Sequence, residues 1–122
     1  MVRDFKELNV WRESFGLIKD VYMVVAKFPR EEIYSLSSQL KRATVSVSSN
    51  IAEGCGKRTD KDFVGFLYMA MGSVREVECQ LMIANNLGYM NNDELEKLLG
   101  KVNKLAGMLM KFIHYISSEG DL

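Results

Sequence analysis

The stretch SVSSNIAEGCGKRTDKDF, residues 46–63, decides the fold of this chain because it supports three interpretations. Its first residues, with Thr44 and Val45 before them, alternate small polar and β-branched side chains, a pattern typical of a strand. Residues 50–54 have the composition of a helix end, and residues 56–59 faintly resemble a phosphate-binding loop. The assignment of the flanking segments depends on which interpretation holds.

Helical periodicity favours a helix here. Apolar residues recur at spacings of three and four: Leu36, Leu40, Ala43, Val47 and Ile51. Good helix formers in residues 39–43 lead directly into the alternating segment. No other run in the chain alternates, so a strand here would have no pairing partner for its backbone groups. We predict a helix over residues 35–54, ending at Gly54 or Gly56.

The likeness to a phosphate-binding loop fails when the motif is compared position by position. The motif GxxxxGK[ST] needs a first glycine where this chain has Ile51, and a Ser or Thr where it has Arg58. A helix rather than a buried strand precedes it. We therefore interpret the segment as a glycine helix end followed by a short basic loop, and predict no nucleotide site.

Three further segments show helical periodicity. Apolar residues alternate at spacings of three and four from Trp11 to Val25, from Phe63 to Ala84 and from Leu95 to Ile116. These stripes predict helices at about residues 9–28, 60–87 and 92–117. In the first helix the predicted buried stripe is Trp11, Phe15, Ile18, Tyr22 and Val25, and further apolar residues widen the arc beyond what one bundle core needs.

Residues that start and stop helices fall at these boundaries. Pro29 disfavours helix at the residue before it. Thr59 and Asp62 have the spacing of a capping box, and Gly88 supplies a left-handed stop. Four amphipathic helices joined by short turns predict an all-α fold, an antiparallel up-down-up-down four-helix bundle forming a single domain over residues 1–122.

Composition limits the classes of function. The 16 basic and 16 acidic side chains cancel, so overall charge does not indicate a strongly basic nucleic-acid binder, although a local patch is left open. The two cysteines and the lack of a charged-then-apolar leader predict a cytoplasmic protein. No run of about 18 apolar residues occurs, so we expect no membrane-spanning segment.

Side chains that carry catalysis or bind metal are sparse. The only histidine is His114, which falls one residue past the apolar stripe and is expected at the surface. Cys55 and Cys79 lack CxxC spacing and are expected to be core or partly buried thiols. We predict no enzyme activity, no cofactor, no metal site and no small-molecule substrate.

Several motifs together resemble the bacterial four helix bundle protein family. They are Leu8-x-x-Trp11, Tyr22, Phe28-Pro29, QLKRA at residues 39–43, SVSSNIAEG at residues 46–54 and FLxxAxGSxxE at residues 66–76. That family includes proteins encoded within intervening sequences of 23S ribosomal RNA genes, and the chain is also similar to the accessory variability determinant of diversity-generating retroelements. The resemblance, over about residues 5–116, implies a homopentameric barrel of bundles with an RNA or nucleoprotein role and no catalytic activity.

Basic residues around the predicted second and third helices are the candidates for contact with RNA phosphates: Lys41, Arg42, Lys57, Arg58 and Lys61. We expect them near one bundle end, where a symmetric assembly would repeat them as a ring. The alternative is a solvated loop whose charge Asp60 and Asp62 partly offset. No aromatic residue lies among these cations in the sequence, so stacking of bases is not expected.

Polar residues set among apolar ones predict a second, structural site. Arg42, Asn50, Glu53 and Glu76 are expected to form a polar network inside one subunit or between subunits, which would fix register rather than add much stability. The predicted function is a non-catalytic oligomeric scaffold or adaptor for RNA or a nucleoprotein. The alternative is a protein–protein assembly module without nucleic acid, which the neutral charge favours.

Overall fold

Four α-helices make up most of the computed structural model, which describes residues 3–119. They are α1 (Asn9–Val25), α2 (Leu36–Cys55), α3 (Asp60–Asn86) and α4 (Asn92–Glu119), with single turns of 3₁₀-helix at Phe5–Glu7 and Arg30–Glu32. No strand occurs in the described part of the chain. The all-α prediction is confirmed, and the ends of the predicted domain, 1–122, lie outside the described residues.

Each helix packs against two neighbours, in the order α1, α2, α3, α4 and back to α1. The most extensive contact is between α2 and α3. Because short connections join consecutive helices, neighbours run antiparallel, as in an up-down-up-down bundle.

Residues 44–48, whose sequence pattern is locally typical of a strand, lie inside α2. Thr44 is fully buried, and its hydroxyl donates to the carbonyl oxygen of Leu40 at 2.7 Å. The hydroxyl of Ser48 likewise donates to the carbonyl oxygen of Val45 at 3.1 Å. Short polar side chains that bond to the preceding turn of their own helix can be buried without a partner elsewhere. This chemistry lets a β-branched, serine-rich segment continue the helix.

The predicted stripe of α3 is the centre of the core. Its members are all fully buried: Phe63, Leu67, Ala70, Val74, Val77, Leu81 and Ala84. Both predicted ends of α3 are present. The Thr59 hydroxyl accepts from the backbone N–H of Asp62 at 3.1 Å, and Gly88 has a φ of +82°. The N–H groups of Gly88 and Tyr89 close the helix end on earlier carbonyl oxygens.

Of the predicted stripe of α1, Val25 alone is buried, and most of the buried face comes from the apolar residues that widened the predicted arc. The buried face is Val10, Ser14, Leu17, Val21 and Val25. Phe15 is instead 51% exposed, and Tyr22 is 40% exposed. The two stripes have similar spacing, and the polar Ser14 interrupts the buried one. Its hydroxyl is satisfied by the carbonyl oxygen of Trp11, which allows it to be buried.

The end of α1 also differs from the prediction, which placed it near residue 28. Regular helix ends at Val25, and the N–H groups of Lys27 and Phe28 bond three residues back, to Val24 and Val25. Phe28 is buried and leads into Pro29, which disfavours helical backbone before it.

Among the residues that the structure describes, no helix is both long and apolar enough to cross a membrane.

Candidate nucleic-acid interface

The five candidate cations fall in two places rather than one. Lys41 and Arg42 lie in the first half of α2, whereas Lys57, Arg58 and Lys61 lie in the α2–α3 turn and the start of α3. The helix from Arg42 to the end of α2 is about 20 Å long at 1.5 Å per residue. The prediction that all five lie near one bundle end is therefore wrong, because α2 is unbroken between them.

Lys57 and Lys61 border an open groove of about 420 Å³, called here the basic groove. It is lined by Lys57, Lys61, Asp62, Gly65, Phe66 and Met69. The ammonium group of Lys57 lies 4.8 Å from the centroid of the Phe66 ring. A Cβ built on Gly65 would meet no atom within 4 Å, so the groove is open on that side.

The charge around the basic groove is positive. Arg3 forms an ion pair with Asp60 and also lies over the Phe63 ring, 4.6 Å from its centroid. Within residues 3–119, no ion pair holds Lys57, Arg58 or Lys61. Because Asp60 is neutralised, Asp62 is the acidic residue that lines the groove beside the three cations.

An aromatic residue does lie among the cations, contrary to the sequence-based expectation. Phe66 follows Lys57 by nine residues, and the α2–α3 turn brings its ring into contact with the Lys57 ammonium group. The helical spacing of Asp62, Phe66 and Met69 places these three side chains on one face of α3. That spacing, read together with the basic turn, was the signal available in the sequence.

Lys41 and Arg42 lie away from the basic groove, on the first half of α2. The ammonium group of Lys41 lies 5.1 Å from the centroid of the Tyr22 ring. Arg42 borders a second groove of about 470 Å³, called here the polar groove. It is lined by Tyr34, Ser38, Gln39, Arg42, Ala43, Ser46 and Glu76. The Arg42 guanidinium donates weakly to the Ser38 hydroxyl at 3.4 Å. This groove holds a cation and an anion together, so it lacks the charge excess of the basic groove.

The predicted polar network is only partly assembled. Arg42 and Glu76 share the polar groove, but the described residues give no hydrogen bond between them. Glu76 instead accepts from the side-chain amide of Gln80 at 3.2 Å. Glu53 is exposed and, within residues 3–119, its side chain makes no hydrogen bond. Within one subunit the four residues do not form a single network, because Glu53 is exposed and apart from the other members. A network between subunits stays a prediction.

Asn50 belongs to a smaller hydrogen-bonded chain between α2 and α3. Its side-chain amide donates to the backbone carbonyl oxygen of Ser46 at 2.9 Å and to the Ser46 hydroxyl at 3.0 Å. The Ser46 hydroxyl also lies 2.9 Å from that of Ser73 on α3. Ser73 was not among the predicted site residues, because its pairing with Ser46 depends on the register of the two helices.

The remaining chemistry-bearing residues are dispersed. Cys55 is buried, which raises the pKa of its thiol above the ordinary value, whereas Cys79 is exposed, contrary to its expected burial. His114 is exposed on α4, as expected. In the part of the chain that the structure describes, no three His, Cys, Asp or Glu side chains are grouped to hold a metal ion.

Comparisons with known proteins agree with the resemblance to proteins encoded within 23S rRNA intervening sequences, and the similarity to the retroelement determinant stays a prediction. The sequence model of a family described as 23S rRNA-intervening sequence protein matches residues 6–111. The fold is similar to the 1.70 Å crystal structure of a protein with unknown function from the S23 ribosomal protein family of Bacteroides thetaiotaomicron VPI-5482. The TM-score is 0.76 and the identity 20%, over 85% of this chain and 97% of that chain. No curated protein matches.

Proposed function

Since the chain belongs to the family of 23S rRNA-intervening sequence proteins, we propose that it is a non-catalytic, homo-oligomeric scaffold that holds RNA at its basic groove. The observation that carries the proposal is the group of cations at the α2–α3 turn. Lys57 and Lys61 line the open groove, Arg58 lies between them in sequence, and none of the three is in an ion pair within residues 3–119. The proposal gives the protein no catalytic step. Its only histidine, His114, lines neither groove.

Electrostatics supports RNA as the ligand at this end of the bundle. Phosphate groups bind cations with release of counterions, so a local cluster can bind RNA although the chain has no net charge. One copy offers three cations, which is a weak site. In a symmetric assembly each copy adds a groove, and simultaneous contacts raise the avidity without any new chemistry. Five copies is the number that the family resemblance implies.

Exposed apolar side chains support self-association. Met23 on α1 is 62% exposed, and Met82 and Ile83 near the end of α3 are 52% and 43% exposed. Together with Leu87, which directly follows α3 and is 52% exposed, Met82 and Ile83 line one open groove. Single exposed apolar residues are ordinary, but a cluster of them around one groove is typical of a surface that another chain covers.

Binding of a fluorescein-labelled 20-nucleotide RNA, followed by anisotropy, tests the RNA role. The variant is Lys57→Ala/Arg58→Ala/Lys61→Ala, and the matched control, Lys19→Ala/Lys97→Ala/Lys111→Ala, removes the same charge from exposed lysines elsewhere. With about three phosphate contacts, wild-type affinity should fall roughly 20-fold between 50 and 200 mM salt. The turn variant should lose both affinity and salt dependence. Equal binding by the turn variant and the control would overturn the RNA role.

A protein–protein assembly module without nucleic acid is the second candidate. The observation that favours it is Tyr34, which is 97% exposed and borders the polar groove beside Arg42 and Glu76. Exposed tyrosine and arginine are typical anchors of protein interfaces. Sedimentation at micromolar concentration separates the outcomes. An assembly that ignores RNA supports this candidate, and a stable, folded single copy contradicts both candidates.

A further inference from the structure

We infer that the basic groove is a site for an unpaired base of single-stranded RNA, which stacks against Phe66 while its flanking phosphates meet the surrounding cations. The inference rests on the proposed function and names the class of RNA that the groove takes. An electrostatic site alone would not distinguish single-stranded from duplex RNA, whereas a stacking site does.

The cation–π contact identifies the ring face. The Lys57 ammonium lies 4.8 Å from the Phe66 centroid, and Lys57 is itself partly exposed. The lysine side chain covers the solvent side of the ring, but it is flexible and can move away, so this face of the ring can be uncovered. When a base stacks on the ring, the flexible lysine can swing to the adjoining phosphate and keep a favourable partner.

The shape of the groove suits a planar ring. A Cβ on Gly65 would have open space around it, so this position adds no side chain to the groove wall. The thioether of Met69, 56% exposed, gives the groove a second apolar contact beside Phe66. Methionine adapts its shape to aromatic partners, which suits a site that accepts several bases.

Charged groups border this apolar surface. Lys57 and Lys61 line the groove and Arg58 lies between them in sequence, which provides positive charge for successive phosphates. The Asp62 carboxylate lies in the same groove and can accept a hydrogen bond from an exocyclic amino group of a base. Its single charge is outweighed by the three cations.

Duplex RNA cannot use this surface in the same way. In an A-form helix the bases are stacked and paired inside, so only phosphates and 2′-hydroxyls reach a shallow protein groove. Duplex binding should therefore depend on the cations and not on Phe66. Single-stranded binding should depend on both.

The protein contains its own control for the aromatic contact. Lys41 lies over Tyr22 at 5.1 Å, which is a similar cation–π pair, but Tyr22 lines neither groove. The variant Phe66→Leu keeps an apolar side chain and its Cβ, and Tyr22→Leu makes a comparable change at the control pair. The variant Gly65→Leu leaves Phe66 in place and fills the open side of the groove, and Gly72→Leu is its control on the same helix, also in open space.

The experiment measures anisotropy titrations of the full chain with a labelled 12-nucleotide single strand and with the corresponding 12-base-pair duplex. Phe66→Leu and Gly65→Leu should weaken single-strand binding about fivefold or more, with duplex binding changed less than about twofold. Tyr22→Leu and Gly72→Leu should change neither. Circular dichroism melts check that each variant is folded, and Gly65→Leu keeps the test decisive if Phe66→Leu unfolds.

The failures of the two proposals are distinguishable. If the triple cation variant loses RNA binding while Phe66→Leu and Gly65→Leu bind the single strand as wild type does, the stacking inference fails and the RNA scaffold stands. Equal losses for single strand and duplex also overturn the inference, because they assign Phe66 a structural role only. If wild type binds neither RNA, the proposed function itself fails.

Discussion

Where α2 meets α3, small uncharged residues such as Gly54 and Ser46 let the two helices pack closely, whereas long, charged side chains bridge α1 and α4. These two helix–helix contacts are called here the α2–α3 seam and the α1–α4 seam. The α2–α3 seam contains Gly54, packed against Phe63 and Phe66, and the hydroxyl pair of Ser46 and Ser73. The α1–α4 seam carries three ion pairs: Glu13–Lys104 at 3.1 Å, Lys27–Glu94 at 2.5 Å, and Asp20–Lys101. One seam is fixed by direct contact of short groups, and the other is spanned by flexible ones.

The contrast bears on the candidate site. A Cβ on Gly54 would lie 2.9 Å from the Cβ of Phe66, so the close α2–α3 contact also sets the position of the ring in the basic groove. Flexible ion pairs tolerate small changes in helix separation, but a contact at this distance does not. We therefore expect changes at the α2–α3 seam to affect both stability and RNA binding, and changes at the α1–α4 seam to affect stability slightly.

The largest expected effect is that of Gly54→Ala. The new methyl group would lie 2.8 Å from a ring carbon of Phe63, which is fully buried and cannot move aside. Overpacking of this kind destabilises by about 1–3 kcal/mol, which should exceed the gain in helix propensity. The control Gly72→Ala, in open space, should instead stabilise by about 0.5–1 kcal/mol. Urea unfolding measures both, and a Gly54→Ala protein as stable as wild type would remove the steric account of this seam.

A smaller effect is expected at the hydroxyl pair. Ser46→Ala leaves Ser73 without its partner on α2 and should cost about 1 kcal/mol in the free energy of unfolding. In the double variant Ser46→Ala/Ser73→Ala no unpaired hydroxyl is left, so its loss should be less than the sum of the two single losses. A double-mutant cycle by urea unfolding measures the difference. Strict additivity would show that the two hydroxyls act independently.

The same seam shows why sequence reasoning recovered most of the fold. The helix through Thr44 and Ser48 followed from the helix formers before it and from the lack of a partner strand. The structure adds the reason that the segment is stable, since both hydroxyls bond within the helix. The α3 stripe was readable because its apolar residues recur at spacings of three and four from Phe63 to Ala84 without a break, although Gln80 is also buried beside them.

Counting apolar residues could not decide which stripe of α1 is buried. The buried face contains Ser14, whereas Phe15 and Tyr22, which are exposed, lie at equally good spacing. A polar residue can be buried when its side chain bonds within its own helix, but in the sequence it makes the buried face look less apolar than it is. Only the packing of neighbouring helices distinguishes the two.

The candidate site was partly predictable. The turn cations could be identified from composition, but the 20 Å of helix that separates them from Arg42 follows from the unbroken course of α2. Phe66 was missed because the turn, rather than the local sequence, brings it under Lys57. Contacts between helices depend on register and turn geometry, which apolar periodicity does not encode.

At the α1–α4 seam, the expected effect of removing an ion pair is below about 1 kcal/mol, because both partners are partly exposed. Lys104→Met should lower the free energy of unfolding by less than this amount in 50 mM NaCl, and the difference from wild type should shrink further in 500 mM NaCl through screening. The loss caused by Gly54→Ala should not change with salt. A salt-dependent Gly54→Ala loss would erase the distinction between the two seams.

The smallest effect is expected from titration of Glu94. The hydrogen bond from the Lys27 ammonium is the main cause that lowers the pKa of this carboxyl below its ordinary value of 4.5, and the hydrogen bond from the Asn91 backbone N–H adds to it. Between the folded-state pKa and the ordinary value, the unfolded chain therefore binds more protons than the folded chain. The contribution of Glu94 to stability is present above about pH 4.5 and is lost as the pH falls through the folded-state pKa.

Glu94→Gln should consequently flatten the dependence of unfolding free energy on pH between about pH 6 and pH 3. The control Ser46→Ala should keep the wild-type slope, because no ionisable group takes part in that hydroxyl pair. Urea unfolding at several pH values measures both variants. If Ser46→Ala changed the slope as much as Glu94→Gln does, charge would be coupled to both seams, and the contrast between a fixed seam and a titratable one would have to be abandoned.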